Sequence, residues 1–273
     1  MPETTFVSSD RLLFMFITLG LSVLFPIALW IVFALRKKRV TAAVLAGTVG
    51  FVVPQLFIRV PVLQLMALNQ QWVAFCARNT VLSCAFYAST AALFETAGRI
   101  LVLRGLLHKS LSYDTALGAG LGHGAAESIG LIGMTYVNNI ILSFMINAGT
   151  LPAAPELQPA VEALTQTQPS LFLLAGLERV FTIAFHMALT TVLSLFILKK
   201  DLFKGALLVI AMHFAVDFIV PLAMAKGLNA WAAECIICLV ALGSAALIAL
   251  LKSKFPVVES PEDPAAIALR EGY

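Results

Sequence analysis

An all-α, polytopic membrane helix bundle of about seven spanning helices is the fold this sequence predicts, on three observations. Apolar residues make up 60% of the 273 residues and charged residues only 12%, against about 25% charged in a soluble domain. Apolar runs recur from residue 11 to residue 251, most of them close to or above the roughly 20 residues that cross a bilayer as a helix. Lysine and arginine gather at alternate ends of those runs.

The spans read as 11–35, 41–60, 79–104, 115–146, 170–198, 205–225 and 229–251. The first is too long for a signal-peptide core and has no basic region before it, so it reads as a span. Pro54, followed by Gln55 and Arg59, predicts that the second bends or ends early. Between the fourth and fifth lies the longest loop, 147–169, with Pro152, Pro155, Pro159 and Pro169; 155–164 suits a short interfacial helix, and the loop reads as a connector rather than a lid. Cys235 and Cys238 form a C-x-x-C inside the last run. With no second such pair they read as small packing residues, not as a redox or zinc motif. Residues 1–251 are expected to form one transmembrane domain, and 252–273, with Ser260-Pro261-Glu262-Asp263-Pro264, a disordered cytoplasmic tail.

Orientation follows from the loops. Arg36, Lys37, Lys38, Arg39, Arg104, Lys109, Lys199, Lys200, Lys204, Lys252, Lys254 and Arg270 fall on one side; Arg11, Arg59, Arg78 and Lys226 fall on the other. The positive-inside rule puts the N-terminus outside and the C-terminus in the cytoplasm. The net charge of +3, without a basic stripe interleaved with aromatics, argues against nucleic acid as a partner. Short loops fit a bacterial plasma membrane.

Three spans carry ionisable pairs at i, i+4, a spacing that places both members on one helix face: Glu95 with Arg99, His123 with Glu127, and His213 with Asp217. A charge at mid-bilayer depth costs roughly 2.5–3.5 kcal/mol on insertion scales. Counting from the basic ends, Glu95, His123 and His213 lie at about 12–14 Å depth, and Glu127, His186 and Asp217 about one turn deeper. Taken singly, each has a bland reading: an ion pair for Glu95–Arg99, a packing site for the glycine-flanked His123, a satisfied core histidine for His186, a local hydrogen bond for His213–Asp217. Six polar groups from four helices in one layer point instead to a functional site. Glu178 and Arg179 lie nearer the external side, apart from that layer.

Such a set suits water activation. A glutamate takes a proton from water, and histidines on facing helices stabilise an oxyanion. Asp217 would fix the tautomer of His213. Equally, His123, His186 and His213 would hold a divalent metal such as zinc. The H-E-x-x-H pattern is absent, so a metal site would be assembled from separate helices. No G-x-S-x-G motif is present, and Asp217 is the one aspartate within a span, which argues against an aspartyl dyad.

Four pieces of sequence carry a family resemblance: Phe94-Glu95-Thr96-Ala97-Gly98-Arg99, Gly120-Leu121-Gly122-His123-Gly124-Ala125-Ala126-Glu127, Glu178-Arg179 with Phe185-His186, and His213-Phe214-Ala215-Val216-Asp217. Gln55, Arg59, Pro61, Asn138 and Asn139 add to it. On these the chain resembles the YhfC family of intramembrane proteases, related to the type II CAAX prenyl endopeptidase and bacteriocin-immunity (Abi, CPBP) group and more distantly to the APH subunit of gamma-secretase. The resemblance implies a membrane-embedded endopeptidase acting on a membrane-protein or lipidated-peptide substrate. It matches Glu95 and Arg99 to the catalytic glutamate and its arginine, and His123 and His213 to the histidines that complete the site, with Asp217 beside the last. Thr96 replaces the second glutamate of the wider group, and Arg99 follows Glu95 by four rather than five, so a CAAX substrate is not implied.

The leading expectation is therefore an intramembrane protease with Glu95, Arg99, His123, Glu127, His186, His213 and Asp217 in its site and a cavity open to the cytoplasm. A proton- or cation-coupled transporter is the second reading, favoured by a cavity continuous to the outside; a non-catalytic scaffold with a dry, fully bonded polar layer is the third. Glu95, His123 and His213 more than about a dozen ångström apart would exclude the protease, because hydrogen-bond reach to one water is about 3 Å.

Overall fold

The protein is described by a computed structural model covering residues 6–36 and 40–256. Lys37, Lys38, Arg39, Arg270 and the expected tail from residue 257 onward lie outside the described residues. The described chain is helical and contains no strand. Its helices are α1 (Ser9–Arg36), α2 (Val40–Ala67), α3 (Gln70–Arg78), α4 (Thr80–Leu101, continued by Val102–Leu106), α5 (Tyr113–Asn147), α6 (Gln158–Gln166), α7 (Pro169–Leu198), α8 (Leu202–Ala225) and α9 (Ala230–Leu251).

Six of these, α1, α2, α5, α7, α8 and α9, are long and apolar enough to cross a membrane. Helix α4 fills the place of the third expected span; Glu95, Arg99, Arg104 and several Ser and Thr residues lower its apolarity, and it is not among the six. Large apolar side chains such as Leu35, Leu68, Phe203 and Leu239 stand on the outside, from 68% to 83% exposed. A soluble monomer does not tolerate such a surface, whereas lipid does. The chain is an integral membrane protein.

Local sequence sets the helix ends. The Asn69 side chain accepts from the Gln71 and Trp72 amides and starts α3. Ser112 and Thr115 form a capping box at α5, and Asn229 caps α9 through the Ala232 amide. Helix α2 runs on past its expected end at residue 60. Around Pro54 it widens into a π-helical stretch, Val52–Arg59, which absorbs the amide hydrogen that proline lacks without ending the helix. Two more π-helical stretches, Val102–Leu106 and Ser128–Gly133, follow shortly after Arg99 and directly after Glu127. The last of them therefore adjoins a polar residue of the expected layer, Glu127.

Helix α7 is the centre of the bundle: 61% of its most apolar window is buried, against 17–44% for the other five spans. Helices α1, α5, α8 and α9 pack on it, and α2 packs on α5. Glycine makes the closest of these contacts. A Cβ at Gly122 would collide with the Val44 carbonyl, one at Gly98 with the Gly50 carbonyl, and one at Gly120 with the α7 backbone at Met187. Such approaches bring α2, α5 and α7 near enough for short polar side chains to meet between them.

Two apolar clusters flank the layer. Ala43, Leu103, Leu107, Ala119, Leu189, Leu193 and Val209 fill the bundle at the end that bears Arg104 and Lys199. At the opposite end Val7, Met15, Tyr136, Ile140, Leu164 and Phe172 tie α6 and the 147–169 loop onto α1, α5 and α7. A short helix is present in that loop, as a 3-10 turn, Pro155–Leu157, leading into α6. At the other terminus Lys252–Lys254 form a further turn and Phe255 is buried against Tyr113, so order extends past the expected tail boundary at 252.

Candidate functional site

Helices α4, α5, α7 and α8 bring Glu95, His123, His186 and His213 to one point, all at least 97% buried. Oε2 of Glu95 is the centre. His123 Nε2 lies 2.9 Å from it, His213 Nε2 3.7 Å and His186 Nδ1 3.9 Å. The expected test of proximity is met with a wide margin. The other carboxylate oxygen, Oε1, accepts a hydrogen bond of 2.6 Å from Gln55 Nε2, supplied by the π-helical stretch of α2. Arg59, one turn on, donates to Gln55 Oε1 at 3.3 Å, to Thr90 and to the Tyr87 carbonyl. Gln55 and Arg59 thus hold Glu95 from the side opposite the histidines.

The i, i+4 spacings are only partly used as pairs. Arg99 Nη2 is 3.4 Å from Glu95 Oε2, and His213 Nε2 is 3.3 Å from Asp217 Oδ2. His123 and Glu127 share a helix face but do not pair. His123 crosses to Glu95 on α4, and Glu127 crosses to His186 and Arg179 on α7. Asp217 also differs from expectation: it meets the same Nε2 that faces Glu95, while His213 Nδ1 has no hydrogen-bond partner. It therefore shares that nitrogen with Glu95 and does not fix the tautomer from the far side of the ring.

The tautomer of His186 follows from its partners. Arg99 Nη2 lies 2.6 Å from Nδ1 and can only donate, so Nδ1 accepts and Nε2 carries the hydrogen, facing Glu127 Oε2 in a 2.5 Å contact. Glu127 Oε1 accepts from Arg179 Nη1 at 2.7 Å, and Arg179 also pairs with Glu178. A chain of charge-assisted bonds runs Arg99–His186–Glu127–Arg179–Glu178. Arg179 therefore joins the polar network, although its position near the external end of α7 set it apart in the sequence.

A cavity of about 640 Å³ leads away from this centre. Its lining includes Gln55, Arg59, Glu95, Glu127, His186, His213 and Asp217, and farther out Glu178, Arg179, Leu171, Met224, Ala230 and Glu234. These outer residues occupy the beginnings of α7 and α9 and the end of α8. The cavity thus opens toward the end carrying Pro169, Ala225 and Ala230, which the charge rule places outside. Under that same charge rule the expected cytoplasmic opening would lie at the other end of the bundle. Counting along the helices set the depth of the polar layer but not the side on which the bundle splays, and the apolar cluster around Leu103, Leu189 and Leu193 closes the basic end. The 147–168 segment contributes nothing to the cavity lining, consistent with a connector. Glu234, buried in the last span, was not singled out in the sequence; a lone glutamate in an apolar run was the available signal.

The donor set fits a divalent cation. Ligand atoms of Glu95, His123 and His186 all lie within 4.8 Å of one another, so this cluster is able to hold a metal ion. Tetrahedral coordination at about 2.0–2.1 Å sets ligand atoms roughly 3.3 Å apart, and the separations of 2.9, 3.7 and 3.9 Å from Glu95 Oε2 to the three histidines bracket that value. His186 offers a nitrogen already engaged by Arg99, whereas His123 and His213 face Glu95 without that competition.

Comparison with known proteins gives the family. A family model described as YhfC intramembrane metalloprotease matches residues 21–237, and the chain belongs to that family. The uncharacterized membrane protein YhfC of Bacillus subtilis (strain 168) is 27% identical over 198 residues, covering 67% of this chain and 74% of the relative. No solved structure matches this chain.

Proposed function

We propose that this member of the YhfC family is an intramembrane endopeptidase that hydrolyses a peptide bond of a membrane-associated substrate. The observation that carries the reading is Glu95: a buried carboxylate with one oxygen held by Gln55 and the other facing three histidine nitrogens, in the wall of a cavity of about 640 Å³. The family's description as a metalloprotease supports it.

In this reading Glu95 takes the proton of the attacking water and returns it to the leaving amine. Gln55 and Arg59 fix its rotamer, so its Oε2 points at the reacting centre. His213, at the cavity wall beside Asp217, donates its Nε2 hydrogen to the developing oxyanion. Glu127 and Arg179 hold His186, and the apolar cluster at the basic end keeps bulk water out. A divalent metal such as zinc, which Glu95, His123 and His186 would hold, would supply Lewis acidity at the scissile carbonyl when bound, with Glu95 then a ligand and not the base.

A proton-coupled transporter is the second reading, favoured by a charged cavity that reaches the expected external end. Against it stands the apolar cluster that closes the other end.

The test compares the N-termini of membrane proteins in cells carrying the wild type or Glu95→Gln, which keeps the side-chain shape and removes the base. New membrane-proximal N-termini seen with the wild type alone establish proteolysis. Identical profiles from two folded, abundant proteins sink the protease and leave the transporter.

A further inference from the structure

We infer that the outer half of the cavity is a recognition site for a cationic side chain of the substrate, formed by Glu178 of α7 and Glu234 of α9. The inference rests on the protease reading and names the substrate feature that such an enzyme would select.

Glu234 is the primary observation. It lines the cavity, is only 9% exposed, and its Oε1 has no hydrogen-bond partner. An unpaired carboxylate at this burial is expensive, and intramembrane carboxylates normally find a partner. The other carboxylates of the cavity do. Glu95 meets Gln55, Arg99 and three histidines, Glu127 meets Arg179 and His186, and Asp217 meets His213.

The charge balance gives the second observation. Arg179 is shared between Glu127 and Glu178, and Glu178, Arg179 and Glu234 line the same cavity. Arg179 is thus already engaged by two carboxylates, and Glu234 has no ion pair with it. A ligand cation placed between Glu178 and Glu234 would complete the set. Leu171, Leu174, Val220 and Ile237 line the same stretch and suit the aliphatic stem of a lysine or arginine, whose charged end reaches the carboxylates.

The fold also gives the spacing. Glu178 precedes His186 by eight residues, about 12 Å along α7. An extended peptide advances about 3.3 Å per residue, so the cation belongs roughly three to four residues from the scissile bond, on the side toward the cavity mouth.

The test uses the purified full-length protein in lipid nanodiscs. The probes are apolar spanning peptides carrying one lysine at successive positions, with matched norleucine and glutamate sets. Binding is read by fluorescence and cleavage by mass spectrometry. Lysine peptides are expected to bind at least about tenfold more tightly than norleucine peptides, the scale of a charge-assisted hydrogen bond, and to be cut about three to four residues from the lysine. Glu234→Gln and Glu178→Gln should each shrink that ratio, and Glu234→Lys should turn the preference toward glutamate. Equal binding of lysine and norleucine peptides, or a ratio unchanged in the glutamine variants, overturns the inference. If Glu234→Gln fails to fold, Glu178→Gln decides alone. Lysine preference without any cleavage leaves the recognition site standing and removes the protease.

Discussion

His186 Nε2 lies 2.5 Å from Glu127 Oε2, and this bond joins the Glu95 centre to the charged wall of the cavity. Through His186 Nδ1 the network reaches Arg99 and Glu95; through Glu127 it reaches Arg179 and Glu178. The polar layer is therefore one connected unit from four helices. A disturbance at its outer edge should be felt at its centre, and the first prediction follows from that coupling.

Arg179→Gln removes the guanidinium and leaves Glu127, 16% exposed, without its counter-charge. Breaking one side of a buried pair costs about 3–5 kcal/mol. A marked fall in the unfolding midpoint of the detergent-solubilised protein is expected. The double variant Arg179→Met with Glu127→Leu should recover most of that loss while remaining inactive, because His186 loses its acceptor. Activity in the double variant would show that the chain of bonds is scaffolding only.

Metal content separates the two chemistries available to Glu95. His123→Ala is expected to abolish most divalent-metal binding, and Arg99→Leu, which touches the donor set through Glu95 and His186, to lower it by about 10–100-fold at most. Elemental analysis of purified wild type and variants provides the measurement. Equal, negligible metal in all of them would favour a glutamate-only mechanism.

Close helix approach makes a stability prediction free of any catalytic assumption. Gly122→Ala places a Cβ against the Val44 carbonyl and must push α5 from α2, displacing His123 next to it. A destabilisation of about 1–3 kcal/mol is expected. Gly20→Ala in α1 meets nothing within 4 Å and should fall within about 0.5 kcal/mol of wild type. Reversible unfolding in mixed micelles would check both, and similar losses at both sites would contradict the packing account.

The direction of the cavity is open to chemical labelling. In a cysteine-free background, Ala230→Cys at the cavity mouth should react with a membrane-impermeant maleimide in intact cells, whereas Ser253→Cys should react only after permeabilisation. The opposite pattern would invert the charge-rule orientation and return the opening to the cytoplasm.

The membrane class, the approximate helix limits and the polar layer were legible in the sequence. Apolar run length and helical rise are local properties, and a buried ionisable group in an apolar span stands out against its neighbours. Glu95, His123, His186 and His213 were found in this way. Gln55 and Arg59 stood out as resembling family features, without a role. Their contact with Glu95 depends on the π-helical turn around Pro54, which rotates the end of α2 by an amount that no spacing rule supplies. Glu234 was passed over because a lone glutamate has no periodic partner.

Only the tertiary structure decided the pairing. At i, i+4 a helix permits contact but does not compel it, and His123 and Glu127 each take a stronger partner on a neighbouring helix. Whether they do so depends on glycine contacts that set the distances between α2, α5 and α7. The same packing closed the basic end and opened the other. Sequence by itself determined which ionisable residues lie within the spans at a common count along them, because that count runs along one chain; which of them touch, and from which side water enters, depends on how separate helices lean on one another.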